Sequence, residues 1–181
     1  MDIKIEHLSV DDKDVIKNMY QYYVHDLSEF NDNLQLDSMG LFDISFVDSY
    51  YSEDNLIPLK ITLADSIIGF VFCSTGRKVD YIVQDLFILR NYRKRGIGKL
   101  AVKQLFGLYP GSFGLGILIK NEPAKLFWEH CLEDFGINYT SSEVVEDGDL
   151  CVKLIFDSTN YRRPTMKINN IKGNFTWNNT G

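Results

Sequence analysis

A mixed α/β fold, built on one central, mostly antiparallel twisted sheet flanked by helices, is what the sequence predicts, and three observations predict it. Strand-like segments come three in a row, "LIPLKITLAD", "SIIGFVFCST" and "VDYIVQDLFILR", separated only by Ala64-Asp65 and Gly76-Arg77-Lys78, which is an antiparallel meander. Helical and strand periodicity then alternate, without the repeated strand-helix units of a doubly wound domain. With 181 residues and 45% hydrophobic composition, the chain can fill one core but not two.

Each element has its own signal. "IKIEHLS" alternates apolar and polar residues at Ile3, Ile5 and Leu8, marking a first strand. Ser9 or Asp11 caps the helix that follows through "DDKDVIKNMYQYYVHDLSEF", where Val15, Met19, Tyr22, Tyr23 and Leu27 recur at helical spacing. The Asp-rich text from Asn31 to Asn55 holds a short helix near Phe46 to Tyr51. After the meander, a helix from Ile97 to Leu108 stops at Tyr109-Pro110-Gly111. The strand "FGLGILI" leads into the helix "EPAKLFWEHCLED", with Pro123 in its first turn. "INYTSSEVV" and "DLCVKLIF" close the series as a hairpin across Asp147-Gly148. Beyond Asp157 the text is polar and Asn-rich, and Gly173-Asn174 between Ile171 and Phe175 marks a small terminal hairpin.

Composition excludes several classes. A formal net charge of −6 argues against nucleic-acid binding, which needs a broad basic face. Cys73, Cys131 and Cys151 are odd in number and set in apolar runs, so they read as reduced core thiols. "MDIKIEHLSV" has no basic-then-apolar leader pattern, and no apolar run is long enough to span a bilayer. The expectation is a soluble, cytoplasmic protein that meets neither nucleic acid nor membrane and uses no metal.

One stretch runs against the acidic balance. Arg90, Arg93, Lys94, Arg95 and Lys99 crowd a turn that also holds Gly96 and Gly98, directly before a helix. A helix begins with unpaired N–H groups and a partial positive charge, so cations in its first turn are unfavourable unless an anion sits there. A solvated surface turn is the plain alternative. A phosphate resting on the turn explains both the charge and the glycines, which let backbone approach closely. A P-loop is ruled out because Arg93 stands where its first glycine would be. Gly96-Ile97-Gly98-Lys99-Leu100-Ala101 fits a dinucleotide-binding G-x-G-x-x-A, but Arg90 to Arg95 separate it from its strand and three meandering strands precede it.

Arg93-Lys94-Arg95-Gly96-Ile97-Gly98 resembles the Arg/Gln-x-x-Gly-x-Gly/Ala element of the GNAT superfamily of acyl-CoA-dependent N-acyltransferases. One strand later, Asn121-Glu-Pro-Ala124-Lys-Leu-Phe127-Trp128 resembles that family's Asn-x-x-Ala-x-x-Phe/Leu-Tyr segment. The order of elements from Ile3 to Phe156 is also the family's. The resemblance therefore implies a domain over 1–156 and an extension over 157–181. It implies acetyl-CoA as co-substrate, with the backbone amides of Arg95 to Lys99 (Arg95, Gly96, Ile97, Gly98, Lys99) on the pyrophosphate and the charges of Arg93, Lys94 and Arg95 beside it. Strand amides near Leu86 and Ile88 would pair with the pantetheine arm. Gly114 and Gly116 are compatible with a narrow approach there. Asn121 would contact the arm, and serves equally as a helix N-cap. Family members are often dimers, and a homodimer is implied here too.

Transfer to an amine requires that a proton leave the ammonium. Asp85, interrupting the apolar strand "VQDLFIL", is the expected base, unless a neighbour merely satisfies it. Tyr22, Tyr23, His25, Asp26 and Glu29 form a polar-aromatic cluster where the family's acceptor pocket usually lies. Tyr22, His25 and Glu29 are the candidate acceptor contacts, and Glu29, Asp43 and Asp48 would suit a cationic amine. Trp128 stands where many members carry a tyrosine that protonates the departing thiolate; an indole cannot do that, so Tyr139, water or the proton shed by the amine would serve. A small-molecule or protein amine is the expected acceptor, and a non-catalytic acyl-CoA-binding module is the alternative.

Overall fold

The computed structural model describes residues 2–146 and 148–159, so the hairpin expected around Gly173-Asn174 lies outside the described residues. The strands are β1 (Ile3–His7), β2 (Leu56–Leu63), β3 (Ser66–Thr75), β4 (Tyr81–Ile88), β5 (Ser112–Leu118), β6 (Tyr139–Glu146) and β7 (Asp149–Asp157). The helices are α1 (Lys13–Leu27), α2 (Ile97–Leu108) and α3 (Glu122–Asp134), with a 3₁₀ segment at Ser45–Tyr51. The strands form one open sheet in the order β1-β2-β3-β4-β5-β7-β6. Every neighbouring pair is antiparallel except β4 and β5, which run parallel. The mixed, mostly antiparallel sheet read from the sequence is therefore the observed one.

Local chemistry sets the boundaries. Asp12 accepts from both the backbone N–H and the hydroxyl of Ser9, at 2.8 and 2.7 Å, where the chain turns into α1. Ala64 and Asp65 both have positive φ, 47° and 65°, which a two-residue turn matched to the twist of β2 and β3 demands. At the outer edge, β1 is braced by α2: Ile5 N–H donates to Gln104 Oε1 at 3.0 Å and Gln104 Nε2 donates to Ile3 C=O at 2.7 Å.

The two faces of the sheet carry different cores. Beneath α2 and α3 lies a largely aliphatic layer that includes Ile61, Val71, Leu105, Leu115, Leu132 and Leu154. Beneath α1 and the 3₁₀ segment lies an aromatic one, with Tyr20, Tyr50, Phe70, Phe72 and Phe87. Here the expected helical stripe is corrected. The buried residues of α1 are Ile16, Met19, Tyr20 and Val24, while Val15 and Tyr22 face solvent. Both stripes have helical spacing; the one containing Tyr20 wins because its ring stacks on Phe70 and Phe72.

The feature that positions the site is a parting of strands. β4 and β5 pair only at Tyr81–Phe113, Ile82–Gly114 and Val83–Leu115, after which they part, β4 running on along β3 to Ile88 and β5 along β7 to Leu118. A bulge lies at the same level: Phe72 of β3 faces Asp85 but Cys73 faces Val83, leaving Gln84 as the extra residue. The bulge turns Asp85 onto the α1 face. Leu89 N–H donates to Ile68 C=O at 2.9 Å, so by strand alternation Leu86 and Ile88 direct their backbone groups to the side β5 has vacated.

Candidate active site

Both helices that follow the parted strands start at this opening. Into α2 the chain passes through a 3₁₀ turn at Arg90–Tyr92, then Lys94 at φ +59° and Gly96 at φ +76°. Gly96 is the N-cap and has no side chain to cap with; the first turn holds no acidic residue. The first helical bond is Leu100 N–H to Gly96 C=O, 3.1 Å, so the N–H groups of Ile97, Gly98 and Lys99 have no acceptor inside the helix. A Cβ placed on Gly96 would meet nothing within 4 Å, so this backbone is open to a ligand. An uncapped, electropositive helix start beside the unpaired edge of β4 is chemically suited to a diphosphate followed by an amide-bearing arm.

The cations around the turn divide into two groups. Arg93 is engaged: its Nε donates to Ile88 C=O at 2.6 Å, its Nη2 to Asp26 Oδ2 at 2.6 Å, and its guanidinium lies 5.4 Å from the Phe87 ring. Arg90 holds the other carboxylate oxygen of Asp26 at 2.6 Å, and Lys99 pairs with Asp134. Burial, the largest single influence on Asp26, pushes its carboxyl up, but the hydrogen bonds from Arg90 and Arg93 outweigh it and hold the group below the usual carboxylate range. Lys94 and Arg95 meet no carboxylate among the described residues; Arg95 lies 5.9 Å from the Tyr92 ring. Gly98 has another reason than ligand approach. A Cβ there would come within 2.9 Å of the Phe127 ring on α3 and 3.6 Å of Ile88, so the glycine lets α2, α3 and β4 meet.

Asp85 reaches into the aromatic face. Tyr20 Oη donates to its Oδ2 at 2.7 Å, and Tyr23 also hydrogen-bonds the carboxylate. Burial raises the Asp85 carboxyl above its ordinary range, and the two phenols pull in the opposite direction without cancelling it. The same burial, with the carboxylate nearby, raises both tyrosines, so they stay protonated donors. Sequence reasoning misses Tyr20, although its spacing from Ile16, Tyr23 and Val24 marks the packed face of α1. The engagement of Asp26 has no local signal, because its partners lie 64 and 67 residues away.

Tyr22 and His25 line a cavity of about 400 Å³ with Asp26, Phe87, Leu89 and Arg90. Glu29, the third expected acceptor contact, is exposed and not among its lining residues. The other acids expected to suit a cation are engaged elsewhere: Asp48 pairs with Lys13 and Lys17 at 3.0 Å, and Asp43 accepts from Ser45 N–H at 2.9 Å. Across the opening, Lys153 donates to Glu146 at 2.6 Å, and the Glu146 carboxylate rests against Gly116. Asn31 and Asn33 donate to Asp149 at 2.7 and 3.3 Å, tying the chain after α1 to β7.

The remaining predicted residues belong to α3 and β6. The Asn121 side chain accepts from Ala124 N–H at 3.1 Å and so caps α3. Trp128 is 6% exposed within the aliphatic core, edge-on to Phe127, and Tyr139 packs at the border of that core. Among the described residues no group of His, Cys, Asp and Glu could hold a metal ion, and no helix is long and apolar enough to cross a membrane.

These features have counterparts in known proteins. Residues 17–132 match the model of the acetyltransferase (GNAT) family. No curated protein matches the sequence. An acetyltransferase from Thermus thermophilus has the same fold, with a TM-score of 0.65 at 13% identity over 86% of this chain and 96% of that one. The diaminobutyrate acetyltransferase of Paenibacillus lautus, solved with its substrate and coenzyme A, gives 0.56 at 14% over 87% and 96%. A streptothricin acetyltransferase from Bacillus anthracis str. Ames, described as putative and solved with acetyl coenzyme A, gives 0.54 at 17% over 87% and 98%. With a family match over more than half its length and a fold shared with those proteins, the chain belongs to the acetyltransferase (GNAT) family.

Proposed function

We propose that the protein is an acetyl-CoA-dependent N-acetyltransferase that acylates a primary amine of a small molecule or a protein. The observation that carries this reading is the uncapped, acid-free start of α2 beside the unpaired edge of β4. Solved proteins of the same fold with coenzyme A or acetyl coenzyme A bound support it.

In this reading the amides of Ile97, Gly98 and Lys99, with Arg95 and Lys94, hold the diphosphate. Leu86 presents its backbone groups and Ile88 its N–H to the pantetheine arm, the Ile88 C=O being held by Arg93, and an N–H from that edge donates to the oxygen on which negative charge develops. Bound acetyl-CoA supplies an activated thioester, so the amine nitrogen gains the acyl group and CoA leaves as its thiol. Asp85 takes the proton that the ammonium must lose. Burial serves this role, because a carboxylate raised above its ordinary range is a stronger base. Tyr20 and Tyr23 keep its oxygens oriented. Tyr22 and His25 contact the acceptor. The second reading, a non-catalytic acyl-CoA-binding module, is favoured by one observation: Trp128, buried in the core, has no proton to give a departing thiolate.

A free-thiol release assay across an amine panel separates the two. Release with at least one amine, lost in Asp85→Asn while calorimetric acetyl-CoA affinity persists, is the expected result. Binding without release from any amine selects the module, and absence of binding removes both readings.

A further inference from the structure

The cavity between α1 and the end of β4 says what kind of amine the protein takes. Asp85 is not among its lining residues, but Phe87, which is, stands two residues further along the same face of β4. At about 400 Å³ it falls within the size range of small-molecule pockets. Its surfaces are apolar: the Phe87 ring, the Leu89 side chain and the Tyr22 ring. Tyr22 is 60% exposed, and no other ring stacks on it among the described residues. It is a large aromatic on the open side of a helix whose packed side is already filled by Tyr20 and Tyr23.

The charges around the cavity matter as much as its walls. A polyamine needs a free carboxylate for each ammonium that does not react. Asp26, the one acid lining the cavity among the described residues, has both oxygens held by Arg90 and Arg93 at 2.6 Å. Glu146, across the opening, is held by Lys153 at 2.6 Å. Arg90, itself a lining residue, repels any further cation. Among the described residues the cavity lining therefore offers no carboxylate free to pair with a second ammonium.

The geometry points to a monoamine bearing an aryl or other apolar group as the acceptor, its apolar group lodged between Tyr22, Phe87 and Leu89 while its nitrogen reaches Asp85. This rests on the acetyltransferase reading above and narrows its substrate class. Hydrophobic pockets discriminate by roughly 10- to 200-fold per methylene-sized difference, so the preference is measurable even in an open cavity.

The test uses the full-length protein with 2-phenylethylamine, methylamine and spermidine. With acetyl-CoA, kcat/KM from thiol release should be at least about tenfold higher for 2-phenylethylamine than for either other amine. In Tyr22→Ala and in Leu89→Ser, the ratio of the 2-phenylethylamine value to the methylamine value should fall by about tenfold. In parallel, saturation-transfer NMR with CoA present reads binding without turnover: 2-phenylethylamine gives a signal that Tyr22→Ala diminishes. Spermidine as the better substrate, or ratios and NMR signals unchanged in both variants, overturns the inference while leaving the acetyltransferase reading intact. If no amine releases thiol, that reading fails by itself, and the NMR result alone decides whether the cavity takes an aryl amine.

Discussion

Two helices follow the two parallel strands, on either side of the same opening, and they begin in opposite ways. At α3 the Asn121 side chain accepts from Ala124 N–H, Glu122 supplies a negative charge and Pro123 removes a donor that would otherwise lack a partner. At α2 there is no capping side chain and no acid, and cations stand where anions would be stabilising. Both ends face the same shortage of acceptors. One is completed by its own sequence; the other is left to be completed from outside. On the proposed function, the contrast puts the ligand's negative charge at α2 and leaves α3 as scaffolding.

The largest effect expected from testing this contrast is at Gly98. Gly98→Glu puts a carboxylate into the first turn of α2 and a Cβ within 2.9 Å of the Phe127 ring. Acetyl-CoA affinity in calorimetry should fall at least about a hundredfold, more than the tenfold per 1.4 kcal/mol of a single lost contact. Because Phe127 must move, the melting temperature should fall as well. Retained affinity would erase the distinction between the two helix starts.

Next is Asn121→Ala, which removes the cap that α2 never had and should cost about 1 kcal/mol in denaturant unfolding. If acetyl-CoA affinity fell instead of stability, Asn121 would belong to the ligand. Arg95→Ala should be smaller still: a several-fold loss of affinity at low salt that shrinks as salt is added, since Arg95 is exposed and screened. Equal losses at both salt levels would indicate packing on Tyr92.

The smallest effect concerns acid. The folded-state pKa of Asp26 is lowered, so its ion pairs contribute stability above the unfolded carboxylate value near 3.9 and lose it as pH falls through the lower folded value. Asp26→Asn should therefore flatten the fall in denaturation midpoint below about pH 4. An unchanged acid profile would mean that the bridge from α1 to the turn carries no free energy.

Much of this is legible in the chain, and the rest is hidden for identifiable reasons. Periodicity and turn residues place every described strand and helix, because those signals are local. The rotation of α1 is not legible, because Tyr20, Tyr22 and Tyr23 offer two aromatic stripes of equal spacing, and only Phe70 and Phe72 on another element decide between them. The basic turn is visible, yet the division of its arginines is not, since Asp26 is distant in sequence. That Gly98 must lack a side chain can be read from the turn, but the crowding comes from Phe127, which the turn's own sequence does not contain. The parting of β4 and β5 is a departure from pairing, and no residue pattern spells it out.

The brace that Gln104 places along β1 has a consequence for how the molecule meets others. Its amide occupies a donor and an acceptor on the outer edge of the sheet, so an incoming strand cannot extend the sheet there without displacing α2. Among the described residues no such brace lies along β6, so of the two outer edges of the sheet the one at Tyr139–Glu146 is the more open to strand addition.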